Sequence, residues 1–299
     1  MTEEAISAVQ PLGSPLLHRE SRRIPPEVYF IFSAVFRYLP PAFAVLLFAH
    51  MDVLGVAWLR IAGAATVFAF WKRPWRLFRE LNAGERRIVL ALGIVLAGMN
   101  VCFYLAISRI PLGTVGSIAF LGPIGLAALG VRTRRNVAAL LFAIGGVFLL
   151  TRLRISAAPL GYIFAAANCA LFVLYILLGH RIAEKGGPAG VERLAIAMLV
   201  ALIAVTPIGV KSAIGALLNP KLLIAGMGVG ICSSVIPYVC DQFAMARLSK
   251  ATFSILLSLL PATACVIGIV VLRQMPSLSE FVGIGSVIAG VALRRNSDD

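Results

Sequence analysis

The sequence predicts an all-α integral membrane protein: ten transmembrane helices arranged as two inverted five-helix repeats. Three observations carry this. The 299 residues are 60% hydrophobic and only 13% charged, with a mean hydropathy of +0.94. That balance leaves too little polar surface to cover a soluble core. Apolar runs of about 20 residues recur, broken by short charged or Gly/Pro connectors, which is the pattern of membrane-crossing helices. Finally, a segment returns. "NVCFYLAISRIPLGTVGSIAFLGP" (100–123) and "YVCDQFAMARLSKATFSILLSLLP" (238–261) align at a constant offset of 138. Val101, Cys102, Ala106, Arg109, Thr114, Leu121 and Pro123 meet Val239, Cys240, Ala244, Arg247, Thr252, Leu259 and Pro261, a long-period self-similarity that marks an internal duplication.

Residues 1–27 hold Glu3, Glu4, Arg19, Glu20, Arg22 and Arg23 with several prolines. They lack the apolar centre of a secretory signal and read as a flexible, uncleaved tail. The first repeat, 28–151, is expected to cross at 28–49, 53–71, 88–107, 112–131 and 137–151. The second, 152–294, is expected to cross at 160–179, 191–210, 222–243, 251–272 and 278–293, leaving 295–299 as a short tail. The fifth and tenth segments are short for a span and need their flanks or local bilayer thinning. Five spans per half is an odd number, so the second half enters the membrane from the opposite side to the first. Such inverted repeats mark transporters that alternate access around a site between the halves.

Basic residues set the orientation. Arg19, Arg22 and Arg23, the run from Lys72 to Arg87, Arg132 to Arg135, Arg181, Lys185, Arg193, Arg247, Lys250, Arg294 and Arg295 share one side. Arg109, Arg152, Arg154, Lys211, Lys221 and Arg273 are on the other. The richer side is cytoplasmic, which places both termini there and accounts for the net charge of +14. The charge is spread over many loops, so nucleic acid is excluded as a partner. Cys102, Cys169, Cys232, Cys240 and Cys265 fall in apolar runs without CxxC spacing and read as small hydrophobes. The three histidines are expected in tails or connectors. No metalloprotease or serine-hydrolase motif occurs, so no catalytic residue, metal or cofactor is expected, and an intramembrane enzyme lacks its dyad.

The segments "FYLAISRIPLGTVGSIAFLGPIGLAAL" (103–129) and "PYVCDQFAMARLSKATFSILLSLLPATACVIG" (237–268) resemble the drug/metabolite transporter superfamily, specifically its EamA-like ten-helix members. They are similar to segments of bacterial amino-acid exporters, the threonine/homoserine and aromatic amino-acid groups among them. The resemblance implies an amino-acid exporter of the inner membrane, neutral and aromatic substrates included, working with the lipid bilayer as its partner and as a monomer. The alternative it leaves is a carrier of another small metabolite or drug in the same superfamily. One departure is Gln274-Met275, where the family often has a Gly-Glu pair, so any structural or gating role of that acid is expected to be missing.

Polar groups inside spans are few, and each is a functional suspect. Asp241 and Gln242 follow Tyr238 on the eighth span, and the repeat mates of Tyr238 and Gln242 are Asn100 and Tyr104. Asp241 reads equally as a paired or snorkelling structural acid and as a substrate or proton site. Arg37, with Tyr38 inside "FRYLPPAF", would hold a substrate carboxylate or the carbonyls freed by Pro40 and Pro41, which are expected to interrupt the first helix. Arg60 reads as structural. Ser117 and Phe120, Ser254 and Ser258, and Asn168 and Tyr175 are expected to line the cavity from the fourth, ninth and sixth spans. Pro123 and Pro261 are equivalent kinks, serving either packing or motion. The small-residue run Gly226, Gly228, Gly230 reads as a close helix contact.

Overall fold

The computed structural model describes residues 25–129, 158–248, 253, 260–275 and 277–293, with short stretches between 137 and 149. The described elements are α-helices: α1 (Pro26–Leu47), α2 (Val53–Lys72), α3 (Pro74–Glu80), α4 (Ala83–Ile107), α5 (Leu112–Leu129), α6 (Pro159–Ala183), α7 (Gly187–Leu217), α8 (Pro220–Gly230), α9 (Ile236–Met245), α10 (Leu260–Leu272) and α11 (Leu278–Ala292). A π-helical turn, Ile231–Val235, joins α8 to α9. Six of these stretches are long and apolar enough to cross a membrane, with shorter apolar helices at Leu112–Pro123 and Thr263–Leu272.

Local chemistry sets the ends. Proline occupies the first turn of α1, α3, α6, α7 and α8, where its missing N–H costs nothing. Asn82 caps α4 in a reciprocal box: its side chain accepts from Glu85 N at 2.9 Å, and Glu85 Oε2 accepts from Asn82 N at 3.2 Å. That cap starts α4 at Ala83, ahead of the expected 88, and α7 likewise outruns 191–210 at both ends. Helices extend past the apolar run because hydrogen bonding, not the bilayer edge, ends them. The fifth expected span, 137–151, lies mostly outside the described residues, as do 251, 252 and 254–259 of the ninth.

Two expectations are corrected. Pro40 and Pro41 do not interrupt α1, which runs unbroken through both. Proline's φ suits a helix, although the hydrogen bonds to the Phe36 and Arg37 carbonyls are forgone and the rings crowd those carbonyls. Pro123 likewise lies within α5, and Pro261 is the second described residue of α10. His180 is not in a connector. It is buried in the last turn of α6, edge-on to Phe253 at 5.7 Å.

The exposed faces are apolar: Phe70, Ile94, Leu160, Ile203, Ile224 and Val270 point outward, while Asn100, Ser117, Asp241 and Gln242 are buried. A surface of that kind suits lipid. Close packing rests on glycines. A Cβ on Gly55 would lie 2.5 Å from Ser212 O, and one on Gly230 only 2.3 Å from Arg60 O, so α2 touches α7 and α8 nearly backbone to backbone. Gly226 abuts Leu59, whereas Gly228 faces open space.

The packing follows an exchange of the chain's two parts. α4 lies on α6 and α7; correspondingly, the α8–α9 stretch lies on α1 and α2. α5 packs on α6 as α10 packs on α1, while α2 pairs with α7 and α5 with α10. One end of the molecule gathers charge. Glu85 bonds Lys185 at 2.6 Å and Arg193 at 2.9 Å, and Lys72 lies 3.7 Å from Glu192. At the other end Gln274 Oε1 accepts from Leu112 N at 3.3 Å, joining the end of α10 to the start of α5.

Candidate functional site

Between these helices lies a narrow cavity bounded by Arg37, Tyr38, Arg60, Met99, Asn100, Phe103, Ala119, Asn168, Phe172 and Tyr238. Its walls come from α1, α2, α4, α5, α6 and α9.

Behind Arg37 lies an ionic layer. Asp241, fully buried on α9, accepts from Ser33 Oγ through Oδ1, and from Arg37 Nη2 and, at 2.7 Å, Tyr175 Oη through Oδ2. The Arg37 guanidinium also sits 5.5 Å from the Phe172 ring and 5.9 Å from the Tyr238 ring. A buried carboxylate needs this set, because removing it from water is repaid only by a close cation and filled lone pairs. Asp241 is therefore a paired acid, and Arg37 engages Asp241 and Ser33, one turn earlier, rather than proline-freed carbonyls.

Arg60 does bond a main-chain carbonyl. Its Nη2 donates to Ser233 O at 3.0 Å and its Nε to Ser234 Oγ at 2.9 Å. Ser233 lies in the π-helical turn that leads into α9, just ahead of Pro237, which has no N–H to give the helix. The guanidinium stacks near Phe103 (5.9 Å) and Tyr104 (5.4 Å). Arg60 thus has the structural role expected of it, and it also lines the cavity.

Asn100 Nδ2 donates to Leu96 O at 2.7 Å and, more weakly, to Tyr238 Oη at 3.4 Å. Asn100 Oδ1 is buried with no hydrogen-bond partner. Asn168 completes the polar wall. Of the other expected residues, Tyr175 contributes through Asp241 and stacks on Phe172 at 5.9 Å. Tyr104, Ser117, Phe120 and Gln242 are buried away from the cavity wall. Ser117 Oγ bonds Gly113 O of its own helix at 2.8 Å, which satisfies it without a ligand. Gln242 wedges against Gly190, whose added Cβ would lie 2.5 Å from its Oε1. Ser254 and Ser258 lie outside the described residues. Sequence reading did not single out Ser33, Met99, Phe103, Ala119 or Phe172. Ser33–Arg37 and Met99–Phe103 are each one helical turn apart, the signal that could have found them.

The arrangement offers aromatic faces, amides and two guanidiniums in a confined space, which suits a small polar solute rather than bond chemistry.

Comparison with known proteins agrees. Residues 159–294 match the EamA-like transporter family. The threonine/homoserine exporter RhtA of Escherichia coli (strain K12) is 34% identical over 81% of this chain and 82% of its own. Its Salmonella typhimurium (strain SL1344) counterpart is 33% identical over the same shares. A solved crystal structure shares the fold, with a TM-score of 0.56 and 18% identity over 90% of this chain and 96% of that one.

Proposed function

From a chain that belongs to the EamA-like transporter family, a multi-pass membrane transporter and not an enzyme, we propose amino-acid export by alternating access. The observation that carries the reading is the cavity, walled by both parts of the chain: Arg37, Arg60, Asn100 and Phe103 from one, Asn168, Phe172 and Tyr238 from the other. Rocking of one part against the other would expose such a site to each side in turn.

The architecture proposed is ten spans in two inverted five-helix repeats, 28–151 and 152–294. The exchange symmetry of the packing supports it, as does the meeting of the repeat mates Asn100 and Tyr238. Both termini are placed in the cytoplasm of a bacterial inner-membrane protein. The gathering of Lys72, Lys185 and Arg193 at one end supports that side as the cytoplasmic one. The protein works as a monomer.

The amino-acid substrate is supported by the identity to the threonine/homoserine exporters. Within the cavity, aromatic walls give apolar area, while amides give hydrogen bonds without burying an unpaired charge. Such a site accepts several neutral amino acids at weak affinity. Uptake of labelled threonine, methionine and phenylalanine into proteoliposomes tests this. Transport of at least one is expected; transport of none of them, alongside transport of another metabolite or drug, overturns it.

A further inference from the structure

Two arginines face one cavity, and they differ in charge balance. Arg37 is matched by Asp241. Arg60 has no carboxylate partner among the described residues; its neighbours are a hydroxyl, a carbonyl and two rings. Arg60 is nevertheless buried, with 4% of its surface exposed. A cation in the membrane interior held only by dipoles is incompletely compensated. Its natural complement is an anionic group brought by the solute, and a guanidinium fork fits a carboxylate.

The cavity also offers the opposite pole. Asn100 is held by its Nδ2 bond to Leu96 O, which leaves Oδ1 as a buried acceptor without a partner. An unpartnered amide oxygen on a residue that bounds the cavity suits an ammonium.

We propose that Arg60 anchors the substrate's α-carboxylate and Asn100 Oδ1 receives its ammonium, and that the cavity's unmatched positive charge excludes solutes of net positive charge. The inference rests on the amino-acid reading above and deepens it. Neutral zwitterions and acidic amino acids are admitted. Lysine-like amino acids are rejected, because no acid remains to receive a second cation. A zwitterion stripped of its carboxylate is rejected because it is a net cation and brings nothing for the Arg60 fork.

The test is counterflow of labelled threonine in proteoliposomes, with unlabelled threonine, threoninamide and lysine as competitors. For the unaltered protein, threoninamide and lysine should compete at least about tenfold more weakly than threonine. Arg60→Gln should raise the KM for threonine about tenfold or more and shrink the gap to threoninamide below about threefold. A purely structural role for Arg60, through Ser233 O, would lower the amount of active protein and leave that ratio unchanged. Arg60→Lys keeps the cation and loses the fork. It should still reject lysine while its KM for threonine rises about threefold or more.

Equal competition by threoninamide or lysine in the unaltered protein overturns the inference and leaves the amino-acid reading standing. So does an unchanged competition ratio in Arg60→Gln. If Arg60→Gln fails to fold, an unchanged KM in Arg60→Lys does the same. Absence of counterflow with threonine, methionine and phenylalanine alike overturns both readings together.

Discussion

Asn100 and Tyr238, which hold the same place in the two copies of the repeated segment, meet in the centre of the molecule, Asn100 Nδ2 donating to Tyr238 Oη at 3.4 Å. At that length the bond is weak, and both side chains border the cavity. Tyr238→Phe should therefore cost stability little, about 1 kcal/mol or less, while lowering transport of threonine severalfold. Asn100→Ala should lower transport further, because it removes an acceptor as well as a donor. Melting temperature in detergent and expression-corrected transport rates separate the two effects; equal losses in both measures would argue for a purely structural pair.

The Arg37–Asp241 pair should behave in the opposite way. Both groups are deep in the protein, and Asp241 carries two further hydrogen bonds from Ser33 and Tyr175. Asp241→Ala leaves a buried cation without its partner, a loss of about 3–5 kcal/mol. The double replacement Arg37→Met with Asp241→Leu removes both charges and should recover most of the melting temperature. Transport should not return with it, since the Arg37 guanidinium that bounds the cavity is gone. A double variant as unstable as Asp241→Ala would show that packing, rather than charge, dominates there.

The contrast shows what the sequence makes legible. Runs of apolar residues reveal the helices, and their rarity makes Arg37, Arg60 and Asp241 conspicuous. Which arginine takes the acid is a tertiary fact, set by α1 and α9 lying side by side across a chain separation of 204 residues. Ser117 and Gln242 look like cavity residues by polarity alone. In the fold, one turns back to Gly113 O and the other is wedged against Gly190. Hydropathy likewise marks where a helix meets lipid but not where it ends. The Asn82–Glu85 box carries α4 beyond its apolar run.

Helix spacing gives a further expectation. Gly55 and Gly230 have backbone oxygens of α7 and α2, respectively, where a Cβ would go, at 2.5 Å and 2.3 Å. Backbone does not step aside as a flexible side chain can, so Gly55→Ala and Gly230→Ala should each destabilise by about 1–3 kcal/mol. Gly215 is exposed on α7, and a methyl group added there would meet nothing within 4 Å. Gly215→Ala should be neutral or stabilising by up to about 1 kcal/mol through helix propensity. Thermal melts of the three variants in one detergent decide this, and a destabilised Gly215→Ala would count against close packing as the cause.

The last expectation concerns energy. Among the described residues, Asp241 is the acid that lies deep in a span, while Glu85 and Glu192 sit near helix ends in salt bridges to Lys185, Arg193 and Lys72. A proton-coupled exporter would need an ionisable group that exchanges protons along the pathway; His180, in the last turn of α6, is not among the residues that bound the cavity. Asp241 is engaged at both oxygens, and neutralising it would strand the Arg37 guanidinium in the interior. Export should therefore run down the substrate gradient. In proteoliposomes with the membrane potential clamped, an imposed pH gradient should leave threonine at its equilibrium level and change initial rates by less than about twofold. Accumulation driven by the pH gradient, lost in Asp241→Asn while counterflow persists, would assign Asp241 a coupling role instead. Normalising to counterflow matters because Asp241→Asn also leaves Arg37 without a counter-charge, so a fall in active protein alone must not be read as a loss of coupling.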